Sequence, residues 1–498
     1  MPAPYDVIII GSGIGGLACA AILSKEGKNV CLLEQNERFG GCFQSFQRLG
    51  IPLDTGIHYL GAMQPGGTLN QYFKYLGILD DLHLRRMDTE AFDEIFLFGQ
   101  RYPFAQGHEH FTERLTEYFP RERQAIEAYV HRLREFGQSI EPSQLAHGRF
   151  SSGSLRNFTL PAWDTLKSFT SDERLQQLLA SVNFLYSGYR DRATFYHHAI
   201  ICDSYIQGAY RLVDGSQQVP DALVERIRAN GGTVLNNARV TKICLHDGAV
   251  SGVEINGGTF IPTSKVISSL HPGVTMGILE KTPRVRKAHI TSLMAAPNSY
   301  GCFSVYLLKK EGSTPYVNRN QHIHTTDNVW IATDEPNAPR PRSFMVAMQP
   351  CADNPACARV VSVLSPMFFH EVAQWEHTSP GARGESYLAF KRERTQYILD
   401  CVQRYIPDIA ENVENIHTTT PLSYRDYTGV PQGAVYGMLK DYRNPLGTII
   451  PVTTRIPNLL YTGQHLNVHG ALGVTLTAML TCAEILGEEY LARRVAQA

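Results

Sequence analysis

Gly11, Gly13 and Gly16 stand in the stretch DVIIIGSGIGG with the spacing G-x-G-x-x-G, and Glu34 follows some way behind. Glycines so spaced can hold a dinucleotide. The first makes a tight turn, the second lets backbone approach a pyrophosphate, and the third lets a helix close on its strand. An acid about 20 residues further on meets ribose hydroxyls. The elements that must position these residues are legible around them. Residues 5–10, YDVIII, form a short apolar run rich in β-branched side chains, as expected for a parallel strand covered on both faces. Leu17, Ala18, Ala21 and Ile22 recur at helical spacing, and Gly27 can end that helix. VCLL at 30–33 reads as the next strand and ends in Glu34. Strand, glycine turn, helix, strand and acid in this order make the fingerprint specific.

NAD and FAD share this turn, and the next residues separate them. Arg38 stands just before Gly40 and Gly41 in EQNERFGGCFQSF. This second glycine loop resembles the E-R-x-G-G loop of the amine oxidase and phytoene desaturase flavoprotein superfamily. PLDTGIHYLGAM at 52–63 resembles the D-T-G-x-H-Y segment of the phytoene desaturase branch. Carotenoid isomerases and all-trans-retinol 13,14-reductases (retinol saturases) belong to that branch. Residues 208–243 look like the family's returning FAD segment. There Ser216 can cap a helix, Val219, Leu223 and Ile227 form its apolar stripe, and Gly231 and Gly232 end it. TPLSYRDYTGVPQGAVYGM at 420–438 resembles the segment these enzymes place over the flavin. Residues 458–486 resemble the closing motif, in which a strand delivers Thr462 and Gly463 to the ribityl chain. A helix starting near Gly473 then aims its positive end at the flavin.

The resemblance implies FAD as cofactor and a set of residues that touch it. Gly11, Ser12, Gly13, Gly15 and Gly16 would take the pyrophosphate, with Glu34 and Gln35 at the adenosine ribose. Arg38, Gly40 and Gly41 form the second loop, and Val240 presents its backbone to the adenine. Asp54, Thr55, Gly56 and His58 follow in the D-T-G-x-H segment. Gly463, Gln464, Gly473, Val474 and Thr475 complete the set. Two positions depart from the amine oxidases. Cys42 stands where many of them carry arginine, and Gln464 where others carry an acid.

The expected fold is α/β, a discontinuous Rossmann-like FAD-binding domain (1–65, 211–270 and 456–498) with a second, α+β substrate domain. That domain (66–210 and 271–455) would set a mixed sheet over the flavin, with the alternating run CFSVYLLKK at 302–310 as one strand. Its first part is dense in rings: Phe184, Tyr186, Tyr189, Phe195, Tyr196, Tyr205 and Tyr210. Aromatic walls suit a long conjugated substrate, and ordinary helix packing would use the same residues. No second G-x-G-x-x-G follows a strand. NADPH or NADH, as an external reductant, would therefore visit the flavin transiently or pass electrons through a partner.

A flavin carries hydride, and the protein supplies placement and electrostatics. Saturating a C=C bond also needs a proton. His58, Tyr59, Tyr436 and His469 are the candidate catalytic donors, each with a structural hydrogen bond as the alternative. Asp54 is expected to bind backbone or ribityl, and Arg425 to meet a polar substrate end or brace its loop. The histidine pairs 108/110, 197/198 and 322/324 lack a third ligand at metal spacing, so no metal is expected.

Composition narrows the partners. A net charge of -1 over 498 residues offers no basic excess for nucleic acid. No apolar run approaches the roughly 20 residues that span a bilayer. The chain enters its first strand without a targeting segment, and ten cysteines carry no C-x-x-C pair, so reduced thiols in the cytoplasm are expected. An apolar substrate implies peripheral membrane contact, although no amphipathic anchor is visible. Oligomeric state leaves no mark in the sequence. The expected function is FAD-dependent oxidation–reduction of CH–CH groups in a carotenoid- or retinoid-type polyene. Saturation leads; desaturation and cis–trans isomerisation run on the same scaffold. Two readings stay open beside it: an amine or protoporphyrinogen-type oxidase, and a non-catalytic prenyl or lipid binder like the Rab escort and GDP-dissociation-inhibitor proteins. Intact Glu34, Arg38 and closing motif weigh against the binder.

Overall fold

The computed structural model describes residues 5–140, 157–330 and 340–498. A five-stranded parallel sheet runs in the order Leu459–Tyr461, Val266–Ser268, Val7–Ile10, Val30–Leu33, Thr233–Leu235. Its central strands are buried throughout because both faces are covered. Ile9, Leu32, Ile267 and Leu460 point into one core with the helices Ile14–Lys25 and Gly470–Leu486. Ile8, Ile10, Cys31 and Leu33 point into another, under the antiparallel meander Val240–His246, Ala249–Ile255 and Thr259–Pro262. The period-2 alternation of side chains therefore serves two layers at once.

The glycine turn is tight enough to exclude any side chain at its third glycine. A Cβ on Gly16 would sit 2.1 Å from the Gly11 carbonyl oxygen. A Cβ on Gly15 would stand 2.8 Å from the Gly463 Cα, so the first turn and the closing motif meet backbone to backbone.

The second layer is a seven-stranded mixed sheet ordered Val413–Thr419, Gly301–Lys309, Val360–Met367, Ser343–Met348, Asn320–His324, Asp93–Leu97, Gln100–Phe104. All its pairs are antiparallel except Asn320–His324 with Asp93–Leu97. The strand Gly301–Lys309 is buried at all nine positions rather than alternating in and out. Phe303, Val305 and Leu307 pack into a core on one face, while Tyr306 and Leu308 pack against Leu53 on the other.

Two local expectations need correction. Ser216 does not cap the helix Gln218–Ala229. Its Oγ donates instead to the Phe43 carbonyl at 2.8 Å and to Asp54 Oδ1 at 2.9 Å, because a buried long-range acceptor outbids the local amides. The closing helix starts at Gly470, not Gly473. Gly470 at φ +75 turns the chain into it, whereas Gly473 permits close packing, since a Cβ there would meet Val468 at 2.6 Å. Among the described residues no helix is long and apolar enough to cross a membrane, and no group of three His, Cys, Asp or Glu could hold a metal ion. His108 pairs with Asp203 and His110 with Glu90.

Candidate active site

A cleft opens at the carboxyl ends of the parallel strands, where open α/β sheets bind their ligands. Gly11, Ser12, Gly13, Gly15, Glu34, Gln35 and Val240 line one end of it. The helix Ile14–Lys25 begins there without a side-chain cap, so its first amides are available to an anion. A Cβ on Gly13 would project into open space, which leaves room for a ligand against the backbone. Glu34 is fixed by three donors. Its Oε2 accepts from Ser12 N at 2.9 Å and Ser12 Oγ at 2.7 Å, and its Oε1 accepts from Asn36 N at 2.9 Å. Arg38 is held by a 2.8 Å bond from Nη1 to the Ser45 carbonyl. Uncapped amides, a glycine cradle and an anchored acid fit the pyrophosphate and ribose of a dinucleotide.

Arg38, Gly40, Gly41, Gly56, His58, Gly463, Gln464, Gly473 and Val474 line the same cleft further along. Four expected cofactor residues do not line it. Gly16 is closed against the Gly11 carbonyl. Asp54 is a buried bracket whose Oδ1 accepts from Ser45 Oγ, Ser216 N and Ser216 Oγ. Thr55 offers its carbonyl to the Tyr424 hydroxyl at 2.8 Å, and the Thr475 hydroxyl donates to Ala471 within its own helix. Arg425 is a brace: it bonds Asp426 and the Glu376 carbonyl.

The far end of the cleft is apolar and aromatic. Phe184, Ile200, Ile201, Tyr205, Met345 and Leu364 form its wall. Tyr59 and Tyr205 stack at 4.1 Å between ring centroids, and Tyr436 lies 4.2 Å from the His469 ring. Among the described residues the only acids, lysines or arginines on the cleft lining are Glu34, Arg38 and Arg239, which stand with the nucleotide-end residues. Of the aromatic run, Phe184 and Tyr205 reach the cleft. Tyr186, Tyr189, Phe195 and Tyr196 pack behind it in the core, the last two on the helix Phe195–Gln207, which is buried nearly all round.

Burial decides the protonation of the four expected donors. It holds His58 down to about 3, helped by the Arg211 cation, and His469 down to about 4. Both are neutral imidazoles near pH 7, and His469 Nε2 is occupied with the Leu185 carbonyl at 3.1 Å. Neither histidine therefore carries the second ring proton of an imidazolium donor near pH 7, and for His469 the structural hydrogen bond, the alternative weighed for it, is present. Burial keeps Tyr59 and Tyr436 protonated far above neutrality. The Tyr59 hydroxyl donates to Asp93 Oδ2 at 3.2 Å, away from the cleft, so that residue contributes its ring face. The Tyr436 hydroxyl has no partner among the described residues, and the residue lines the cleft.

Sequence reading missed two buried cations that shape the site. Arg211, 1 % exposed, donates from Nη1 to the His58 carbonyl at 3.1 Å and from Nη2 to Asn320 Oδ1 at 2.8 Å. Asn320 passes the contact on, its Nδ2 donating to Asp93 Oδ1 at 2.8 Å. Lys440 donates to the carbonyls of Thr448, His465 and Leu466 at 2.7, 2.6 and 2.9 Å, which pins the segment that follows Gly463 and Gln464. Isolated charges in YRLVDG and GMLKDY were the available signal. Arg211→Met leaves the Asn320 side-chain oxygen and the His58 carbonyl without their donor, and removes a buried cation that acts on Asp93. It is expected to destabilise the fold by about 3–5 kcal/mol, read by urea unfolding, and an unchanged midpoint would refute the bracket.

The histidines also set a pH dependence. Burial holds His58, His197, His198 and His324 at about 3 and His271 and His469 at about 4, all below the ordinary 6.5. The unfolded chain protonates them near pH 6.5 and the folded chain does not. Their stabilisation is complete above pH 6.5 and is lost as pH falls towards the folded values. Burial lowers His417 and His465 as well, and Asp54, whose carboxyl burial pushes up, works in the opposite sense, one group against eight. The unfolding temperature is expected to drop by about 10 °C between pH 7 and pH 5. A flat profile by scanning calorimetry would contradict it.

Comparison with known proteins agrees with this geometry. The chain is 27% identical to all-trans-retinol 13,14-reductase of Rattus norvegicus over 98% of this chain and 86% of the relative. It is 27% identical to a chloroplastic prolycopene isomerase of an Oncidium hybrid cultivar over 59% of this chain and 53% of that protein. An oxidoreductase of Methanosarcina mazei shares the fold with a TM-score of 0.65 at 19% identity, covering 95% of this chain and 98% of that one. The family model of the flavin containing amine oxidoreductases matches residues 14–310, well over half of the 498. With its nucleotide cleft and its two-layer fold, this chain belongs to the flavin containing amine oxidoreductases and is an FAD-dependent oxidoreductase.

Proposed function

We propose that this enzyme saturates a C=C bond in a long apolar polyene of the retinoid or carotenoid type. The observation that carries the proposal is the far end of the cleft, apolar and aromatic and, among the described residues, without an acid, lysine or arginine on its lining. A protonated amine would enter with a charge and meet no carboxylate, at a large desolvation cost. A hydrocarbon meets Phe184, Ile200, Ile201 and Leu364, and its burial is favourable at roughly 25 cal/mol per Å². The likeness to the retinol reductase, 27% identical over 98% of the chain, favours saturation over isomerisation, whose relatives match 59% at 27% and 87% at 22% identity.

A bound flavin supplies the hydride chemistry. The protein's own groups do the rest. The first amides of the helix Ile14–Lys25, with Glu34, hold the dinucleotide. The stacked rings of Tyr59 and Tyr205 flank the polyene, and the closed wall keeps water from the reduced carrier. Tyr436 holds a proton on its hydroxyl and gives it to the carbon next to the one that takes hydride, so one C=C bond gains two hydrogens. The neutral His469 ring keeps the phenol in place. NADPH or NADH is the electron source in this scheme. The test is anaerobic: the photoreduced enzyme is mixed with a retinoid or carotenoid, and the flavin band should return without oxygen. Return with an amine or porphyrinogen instead would move the enzyme to the oxidase reading.

A further inference from the structure

A second cavity, of about 910 Å³, adjoins the flavin cleft and shares Asn36, Arg38, Gln44, Tyr424 and Tyr427 with it. Nothing in the proposed reaction uses it. Arg48, Lys391 and His417 come together on its lining, with Arg383. Arg48 Nε donates to His417 Nδ1 at 3.3 Å, and Lys391 Nζ donates to the Thr418 carbonyl at 2.7 Å. Among the described residues neither Arg48 nor Lys391 meets a carboxylate. The lining acids are already engaged, Asp426 by Arg383 and Arg425 and Glu385 by Arg392, and only Glu37 is left. Burial, then Arg48 and Arg383, push Lys391 down to about 8, and burial with Arg48 and Lys391 pushes His417 down to about 4. Arg48 and Lys391, with no carboxylate in contact, repel each other, and an anion of the right size relieves that repulsion.

Five aromatic rings stand among the polar and small residues of the remaining lining. Phe46 stands 5.2 Å from the His417 ring, Tyr306 and Tyr387 lie deeper, and Tyr427 at the shared edge is 58 % exposed. A cationic pocket, an exposed planar ring and one free acid match the three parts of a nucleotide: phosphate, base and ribose hydroxyls. We propose that this cavity binds a phosphate-bearing nucleotide, with its phosphate at Arg48 and Lys391 and its base against the wall that ends in Tyr427. Phosphate and base recognition stand independently of the polyene chemistry. Identifying the nucleotide as the reduced nicotinamide nucleotide that feeds the flavin rests on the reading above.

The experiment is titration calorimetry of the flavin-loaded enzyme with 2′,5′-ADP, AMP and inorganic phosphate. The nucleotides should bind more tightly than phosphate, and added salt should weaken them. Arg48→Met and Lys391→Met should each lower nucleotide affinity about tenfold or more, with the flavin spectrum unchanged. Arg48 is exposed, so its variant tests the site even if the other fails to fold. No nucleotide binding, or affinity unaltered in Arg48→Met, overturns the proposal. Phosphate bound as tightly as nucleotide overturns the base contact. Binding of phosphatidylserine vesicles that Arg48→Met abolishes, without nucleotide binding, reassigns the patch to a lipid surface and overturns the proposal too. Nucleotide affinity that persists while no polyene reoxidises the flavin sinks the polyene reading alone.

Discussion

Tyr436→Phe is expected to slow polyene reduction by about 10²–10⁴-fold, the usual share of a positioned proton donor. Substrate and flavin affinity should change little. The ring stays against His469 at 4.2 Å and edge-on to Tyr300 at 6.1 Å, so the variant loses one hydroxyl and no packing. The size of the effect follows from what the other candidates lack. His58 and His469 are neutral near pH 7, and the Tyr59 hydroxyl is spent on Asp93. Single-turnover reoxidation of the reduced flavin by a retinoid reads the step without product release. A rate within a factor of about two of the parent would show that the proton comes from elsewhere.

Glu34→Ala is expected to yield protein without flavin. The carboxylate accepts from Ser12 N, Ser12 Oγ and Asn36 N, and its removal strands two buried or half-buried amides where the ribose should sit. Hydrogen bonds to a charged group contribute roughly 1.5–3 kcal/mol each. The loss of several predicts flavin affinity weakened by about a hundredfold or more. Absorbance of the purified variant, with the rise in unfolding temperature on adding FAD, measures it. A yellow variant with parental affinity would contradict the assignment of Glu34. Glu34→Gln should fall between, because an amide keeps one acceptor of two.

The nucleotide end was legible in the sequence because its signals are local. A β-branched strand, a glycine turn, a helix and an acid follow one another within residues 5–34, and the strand Val30–Leu33 lies where the sequence places it. The network behind the substrate end was not legible, because its parts meet only through sheet register. Asp93 faces Asn320 across parallel strands, and Arg211 arrives from a third segment. No spacing links residues so far apart, and a lone buried cation reads in sequence like any surface arginine. Burial misled in the other direction at His58 and His469. Their residue type announces a proton donor, and the surrounding apolar packing removes the proton. Ser216 shows the same limit at a helix start, where a local cap and a distant carboxylate compete and the distant one wins.

Under the proposed function the reduced enzyme adds two hydrogens across a polyene C=C bond. Mass spectrometry of the polyene recovered after anaerobic incubation with photoreduced enzyme tests it most directly. A product heavier than the substrate by two hydrogens, formed in step with flavin reoxidation, is expected. A product of unchanged mass, one lighter by two hydrogens, or a polyene recovered intact beside a still-reduced flavin would contradict it.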